Sequence, residues 1–465
     1  MKRIYKIAAA LSLMAVTLFS CEKPDLSEGK IPQVNGLMNV TLLFPDSPIE
    51  YTAEKKGPYA EGEEIIIKLP TSDDNPTDVT RLKMIVSLEH NCYVNSPLGQ
   101  FIDFTEPYQI EVTDALGTVH HNTVKVVLLP PKTRFEVMWT KSNADIGLET
   151  RNNTGVALNG KQMAIQEYDG KLSFFDYKTG TLIKTVEPAR SFMMKCQADD
   201  AGHFVTCREN VYGAGFMVFL YEDETETHKL LLDYTAADGC PEDLGWEFAV
   251  CGDVTSGKSY IYGMAPSSMT IYYWQLNDGE LVTPASEPMT IRYGVAKKDW
   301  YLAQVQRASL DDNSDHYISY LHLGKEGDGQ GSRFNIFTPS MDVRSLNSKN
   351  TLYKILDFKV FSIGEDKYLV TNEQDFTSWS QNVVRVYDIT NPANMEMVPE
   401  DDGYNNFRLF ESESIYPTNY NSWGDVDVCM EETETGYDVY IVAATLGYDT
   451  KEATTRMFKM TYNRQ

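Results

Sequence analysis

Beyond residue 33 the chain is a succession of short apolar runs, each stopped within a few residues by Gly, Pro, Asn or Asp. Tyr, Val, Ile, Thr and Phe dominate these runs, the residues that fit a pleated and half-buried surface. Apolar residues repeating at the helical period of about 3.6 are nearly absent. The pattern predicts an all-β protein. With 42% hydrophobic and 12% aromatic residues there is ample material for packed cores, which excludes global disorder. The 465 residues suffice for two to four domains.

Residues 34–131 form a first block, with strands predicted at 40–44, 64–69, 82–88, 108–112 and 123–128, and a turn at Asp114-Ala115-Leu116-Gly117. Strands this short, with turns between them, predict a small immunoglobulin-like sandwich. Pro130-Pro131 ends it as a stiff linker. Residues 132–465 repeat a weaker unit. Segments 155–158, 162–165, 172–176 and 181–186, with the Lys178-Thr179-Gly180 turn before the last, read as the four strands of a propeller blade. Similar units start near Phe192, Trp246, Tyr293, Ile355 and Trp423, the one from Ile355 taking its last strand from Met395 to Val398. The stretch from Arg134 to Trp139, stranded before the first blade, is expected to complete the last sheet and close the ring. Six blades fit best, and the long unit near 300–350 has room for a seventh.

The first twenty-one residues carry an address. Lys2, Arg3 and Lys6 precede an apolar stretch from Ile7 to Phe19, and Leu18-Phe19-Ser20-Cys21 supplies a small residue just before a cysteine. This is a secretory leader at 1–20, too short to span a bilayer. The cut point resembles the bacterial lipobox, which implies that Cys21 is acylated and that 21–33 is a flexible tether. Formal charge is −26, so nucleic acid and anionic lipid are repelled, and the lipid is expected to be the only contact with the membrane. Six cysteines remain: Cys92, Cys196, Cys207, Cys240, Cys251 and Cys429. The pairs Cys196/Cys207 and Cys240/Cys251 share one spacing and are expected to face each other across hairpins, either bridged or as buried thiols.

The residues Val79-Thr80-Arg81-Leu82-Lys83, then Pro97 to Pro107, then Tyr108-Gln109-Ile110-Glu111-Val112-Thr113 resemble a family of lipid-anchored Bacteroidetes proteins of unknown function. Asp114 to Thr118 departs from that family's acidic turn. Such proteins often accompany outer-membrane glycan import systems, so the resemblance implies an outer-membrane protein, facing outside the cell, that handles carbohydrate. Glu22 and Asp25 resemble the surface-export signal of that phylum.

Chemistry is sparse along the chain. No His-Glu-x-x-His, Gly-x-Ser-x-Gly or Cys-x-x-Cys occurs, and Asp311 to Asp315 lacks the glycine and distal carboxylate of a calcium loop. No cofactor or metal is expected. Asp425, Asp427, Asp238, Glu242 and Asp243 are carboxylates placed by position alone. The connections into the innermost strands are expected to carry Asn152, Asn153, Arg190, Trp246, Arg292 with Tyr293, and Asn421 with Trp423. The neighbouring loops add Tyr168, Tyr212, Trp379 and Tyr448. Of these, Trp379, Trp423, Trp246, Arg190, Arg292, Tyr212, Tyr448 and Asn421 form the expected ligand set. Aromatic faces beside planar polar groups suit sugar rings; with the import systems that the resemblance implies, the expectation is noncatalytic capture of an oligosaccharide for import. A propeller glycoside hydrolase or polysaccharide lyase, and a scaffold binding outer-membrane import proteins, are the alternatives. Trp274, inside an apolar run, is expected in the core.

Overall fold

The computed structural model describes residues 36–45, 49–71, 76–96, 98–148, 153–167, 170–221, 227–266, 270–292, 301–322, 331–337, 343–346, 353–375, 382–415, 421–447 and 453–464. The leader, Cys21 and the tether lie outside them. The chain is almost entirely β and divides into two compact units, with the boundary between Pro131 and Lys132. Among the described residues no helix is long and apolar enough to cross a membrane.

Among its described residues the N-terminal unit holds two four-stranded sheets. One holds Glu50–Thr52, Leu37–Leu43, Leu82–Leu88 and Phe101–Ile102 in that order; the other holds Glu64–Pro70, Val119–Leu129, Tyr108–Thr113 and Tyr93–Val94. Alternation decides which faces meet: Ile65, Ile67 and Leu69 are buried, while Glu64 and Pro70 at the strand's ends are exposed. They join Leu37, Val40, Leu42, Leu82, Met84, Ile110, Val112 and Val124 in one core. Burying each such side chain contributes roughly 1.5–3 kcal/mol. The arrangement is immunoglobulin-like.

The second unit contains six antiparallel sheets among its described residues, which we number as blades one (153–186), two (193–234), three (247–292), four (301–346), five (353–411) and six (421–463). In blades one, two, four and five the described strands follow chain order outward, as do the first three strands of blades three and six. The first strands neighbour one another in sequence, and Asn421–Glu432 of blade six returns to Asn153–Leu158 of blade one, so the arrangement is propeller-like and closed. The fourth strand of blade six is Thr133–Ser142, paired antiparallel with Thr454–Asn463, as the stranded β segment before blade one predicts. Trp274 is wholly buried between blades two and three, its Nε1 donating to Ala285 O at 3.1 Å.

Several expectations are corrected. The segment from Met395 to Val398 is not a strand: Asn391 caps a 3-10 helix at Pro392–Glu396, and Arg408–Glu411 is the fourth strand of blade five. Arg292 does not lead into an innermost strand. It ends Met289–Arg292, an extra strand paired with Thr270–Asn277, and blade four begins at Tyr301–Arg307. The six described cysteines are free thiols. Register explains why Cys196 and Cys207 do not meet: Lys195 faces Cys207 and Cys196 faces Thr206. Cys196 therefore packs between blades one and two, and Cys207 packs between two and three. Cys240 packs in that second core, whereas Cys251 lies against a third.

Candidate functional site

The innermost strands place a column of polar groups at the centre of the ring. Alternate residues form two layers, with Lys195, Glu247, Gln304, Asp357 and Asp425 linked in the first and Gln197, Lys359 and Asp427 in the second. An innermost strand has one unpaired edge, and its N–H groups need acceptors. The preceding blade's side chains supply them. Asp425 Oδ2 accepts from Val156 N at 2.7 Å, Asp427 Oδ2 from Leu158 N at 2.7 Å, and Asp357 Oδ2 from Val426 N at 2.8 Å. Gln306 takes both backbone groups of Val360, accepting its N–H at 2.7 Å and donating to its O at 2.6 Å. Gly155 is required where two inner strands touch: a Cβ there would lie 2.5 Å from Cys196 N.

Four carboxyl groups, on Glu247, Asp357, Asp425 and Asp427, share this space with the amines of Lys195 and Lys359. Lys195 Nζ lies 3.6 Å from Asp425 Oδ1, and Lys359 Nζ lies 3.2 Å from Asp427 Oδ1. Burial works against the Lys195 charge, yet Asp425 and Glu247 outweigh it and raise its pKa. Burial pushes Glu247 up to about 7 despite the nearby ammonium. It also lifts Asp425 well above the carboxylate range, and Asp425 shares a hydrogen bond with Asp357. A cavity of about 190 Å³ adjoins the column, lined by Gln197, Gln304, Gln306, Lys359, Asp427 and Asp199 among others. Asp425 and Asp427, candidates by position alone, thus bridge neighbouring blades.

The rim of blades two and three has a different character. Arg190 is exposed, with its guanidinium 5.9 Å from the Phe219 ring and donating to Ala189 O at 2.9 Å. Tyr212, 88% exposed, stands edge-on to Phe192 with ring centroids 6.1 Å apart. Phe192, Tyr212 and Asp243 all carry positive φ, at 63°, 54° and 60°. Such conformations cost about 1–3 kcal/mol each and cluster where surrounding structure over-determines them. Asn210 is the determinant here. Its Nδ2 donates to Cys240 O and Pro241 O at 3.1 and 2.7 Å, its Oδ1 accepts from Gly215 N at 2.7 Å, and its backbone O accepts from Asp243 N at 2.9 Å. Trp246 is half-buried against the core of these blades. Beside Asn210, Glu209 is 1% exposed and its Oε2 has no hydrogen-bond partner. Burial, reinforced by Asp243, pushes its pKa up to about 8.

The structure thus brings Arg190, Tyr212 and Trp246 to one end of two adjacent blades and sets Arg292, exposed, on the outer part of blade three. Trp379 and Tyr448 lie outside the described residues, as do Asn152, Tyr168 and Tyr293. Asn421 and Trp423 lie on the first strand of blade six, and their side chains are likewise outside the description. Asp238 closes a 3-10 turn with Thr235, and Glu242 is exposed. Among the described residues Asp199, His203 and Asp253 gather metal-type donors. Asp199, however, is occupied: it accepts from the N–H groups of Ala201, His203 and Val254 at 3.0, 2.7 and 2.9 Å and holds His203 Nδ1 at 3.0 Å. That is a turn clamp. Sequence reasoning missed Glu209 and Asn210, because a Glu-Asn pair at a strand end carries no spacing signal.

No curated protein matches the chain. Residues 16–126 match the model of a family described as a domain of unknown function (DUF5018), a stretch that includes most of the immunoglobulin-like unit and none of the ring.

Proposed function

We propose that this protein captures glycans without cleaving them, from the outer surface of the outer membrane, to which acylated Cys21 tethers it, and that it hands oligosaccharides to an import system. The observation that carries the reading is Tyr212, an aromatic ring almost fully presented to solvent on a backbone held in a costly conformation, with Arg190 at the same end of its blade. Tyrosine offers a broad apolar face and a polar tip at low entropic cost, and arginine supplies planar donors for hydroxyl groups. The channel carboxylates are already engaged with the backbone of neighbouring blades, which supports a holding role for them.

Affinity electrophoresis of residues 22–465 in gels containing a broad panel of polysaccharides tests the reading. At least one gel should retard the protein, and Tyr212→Ala should relieve the retardation without changing the melting temperature. Migration unaffected by every polysaccharide overturns the proposal. The tether has its own check: globomycin should block processing of the precursor.

A further inference from the structure

The cavity of about 190 Å³ lies on the axis of the ring, at the end away from Tyr212. Arg190 and Trp246 stand just before first strands, whereas the cavity reaches Asp199 and Asp200, just past the end of Met193–Ala198. Asp200 is exposed, so the cavity meets solvent there. Its floor is the first polar layer, where Gln304 Nε2 donates to Asp357 Oδ1 at 2.9 Å and Lys195 pairs with Glu247 at 3.0 Å. One water needs roughly 10–15 Å³ of such space, so there is room for about a dozen waters or one small organic molecule.

Gln197, on the wall, is 7% exposed, and its Oε1 accepts from Val250 N at 3.4 Å and Lys359 Nζ at 3.5 Å. Among the described residues its Nε2 meets no acceptor, although polar side-chain atoms this deep are normally paired. Lys359 Nζ also reaches Asp427 Oδ1 at 3.2 Å, which leaves one of its three N–H groups unused. Gln306 Nε2 gives one of its two to Val360 O at 2.6 Å. The acceptors, by contrast, are largely taken. Asp427 accepts from Leu158 N at 2.7 Å, Val428 N at 2.9 Å and Lys359, and Asp199 is filled by backbone N–H groups and His203. The wall therefore lacks oxygen acceptors for its donors.

Charge narrows the class further. Lys359 is outnumbered by three lining carboxyls, those of Asp199, Asp200 and Asp427, so an anion is repelled. A cation finds the Lys359 ammonium already placed between Asp427 and Gln197. What fits is a neutral molecule carrying several hydroxyl oxygens, whose C–H groups meet Phe361 and Val428 on the same wall.

The geometry points to a second binding site, for a neutral monosaccharide, formed by Gln197, Gln306 and Lys359 at the end of the ring opposite Tyr212. It is independent of glycan capture at the rim. Saturation-transfer difference NMR of residues 22–465 with glucose, galactose, mannose and xylose tests it, with glucuronate and glucosamine as charged counterparts. At least one neutral sugar should receive saturation and bind more tightly than either charged one. Gln197→Leu, similar in volume, should weaken that sugar by about tenfold at an unchanged melting temperature. Gln197→Glu, whose carboxylate pairs with Lys359 and so keeps the wall intact, should weaken it as well. Tyr212→Ala should leave it unaltered. No transfer to any neutral sugar, tighter binding of glucuronate or glucosamine than of every neutral sugar, or binding that survives both Gln197 variants overturns the inference. If Tyr212→Ala alone removes the signal, the sugar sits at the rim: the second site falls and glycan capture stands. If no polysaccharide is retained while a monosaccharide still depends on Gln197, capture falls and the cavity site stands.

Discussion

Lys195 Nζ of blade two lies 3.0 Å from Glu247 Oε2 of blade three, and both side chains are almost wholly hidden. The same amine reaches Asp425 of blade six, so one cation ties three blades at the centre of the ring. Lys195→Met leaves buried carboxyls without their counter-charge. The variant should lose about 3–5 kcal/mol of stability in urea unfolding. An unchanged midpoint would show that the amine is dispensable.

Glu209 gives a pH signature. Its folded pKa of about 8 lies above the ordinary value of 4.5, so the folded chain keeps a proton that the unfolded chain releases. That contribution is complete below the ordinary value and is lost as pH rises through about 8. Glu209→Gln, neutral at every pH, should therefore gain on the parent across this window by up to about 1 kcal/mol per pH unit. Thermal melts at stepped pH read this directly; parallel curves for the two proteins would refute it.

In the N-terminal unit, buried His120 bridges Glu61 Oε2 and Asp114 Oδ2, each at 2.9 Å. Burial opposes its charge, but the two carboxylates prevail and raise its pKa above 6.5. The bridge is at full strength below that ordinary value and weakens as pH rises through the folded one. His120→Gln should destabilise the protein by about 1–3 kcal/mol at mildly acidic pH and by less in alkali. His121→Gln, at a half-exposed neighbour, should do neither. Denaturant melts at the two pH values decide.

The thiols can be counted. All six described cysteines should react with Ellman's reagent in denaturant without reductant. In the native state Cys196 and Cys207 should resist, because burial holds both thiols protonated. Fewer than six reactive thiols after unfolding would mean that a disulfide forms after all.

What the sequence made legible was local. Short runs ended by turn residues announce strands, and an orphan segment such as Arg134 to Trp139 can be recognised because a ring needs its missing edge. Lys195 and Gln197, or Asp425 and Asp427, look along the chain like the outward positions of half-exposed strands. Their burial comes from closure of the ring, which brings together residues more than 200 positions apart. The equal spacing of the cysteines misled for a related reason: register is set by whole strands, and a shift of one residue sends a side chain to the opposite face. Asn372 and Asn382, on the paired strands Asp366–Asp375 and Asn382–Asp388, are wholly buried, with Asn372 Nδ2 donating to Asp425 O and Ala444 O at 3.1 Å. Gly424 makes room for them, since a Cβ there would fall 2.5 Å from Asn372 Nδ2.

The pairing of Thr133–Ser142 with Thr454–Asn463 means that the first piece of the ring to be synthesised is the last to find its place. A growing chain carries that strand with its partner still to come while the residues of five blades are made. Loss of even the final ten residues would leave two raw edges instead of one tail. Such a chain invites pairing with a neighbour, so the C-terminal strand guards the whole ring against misassembly.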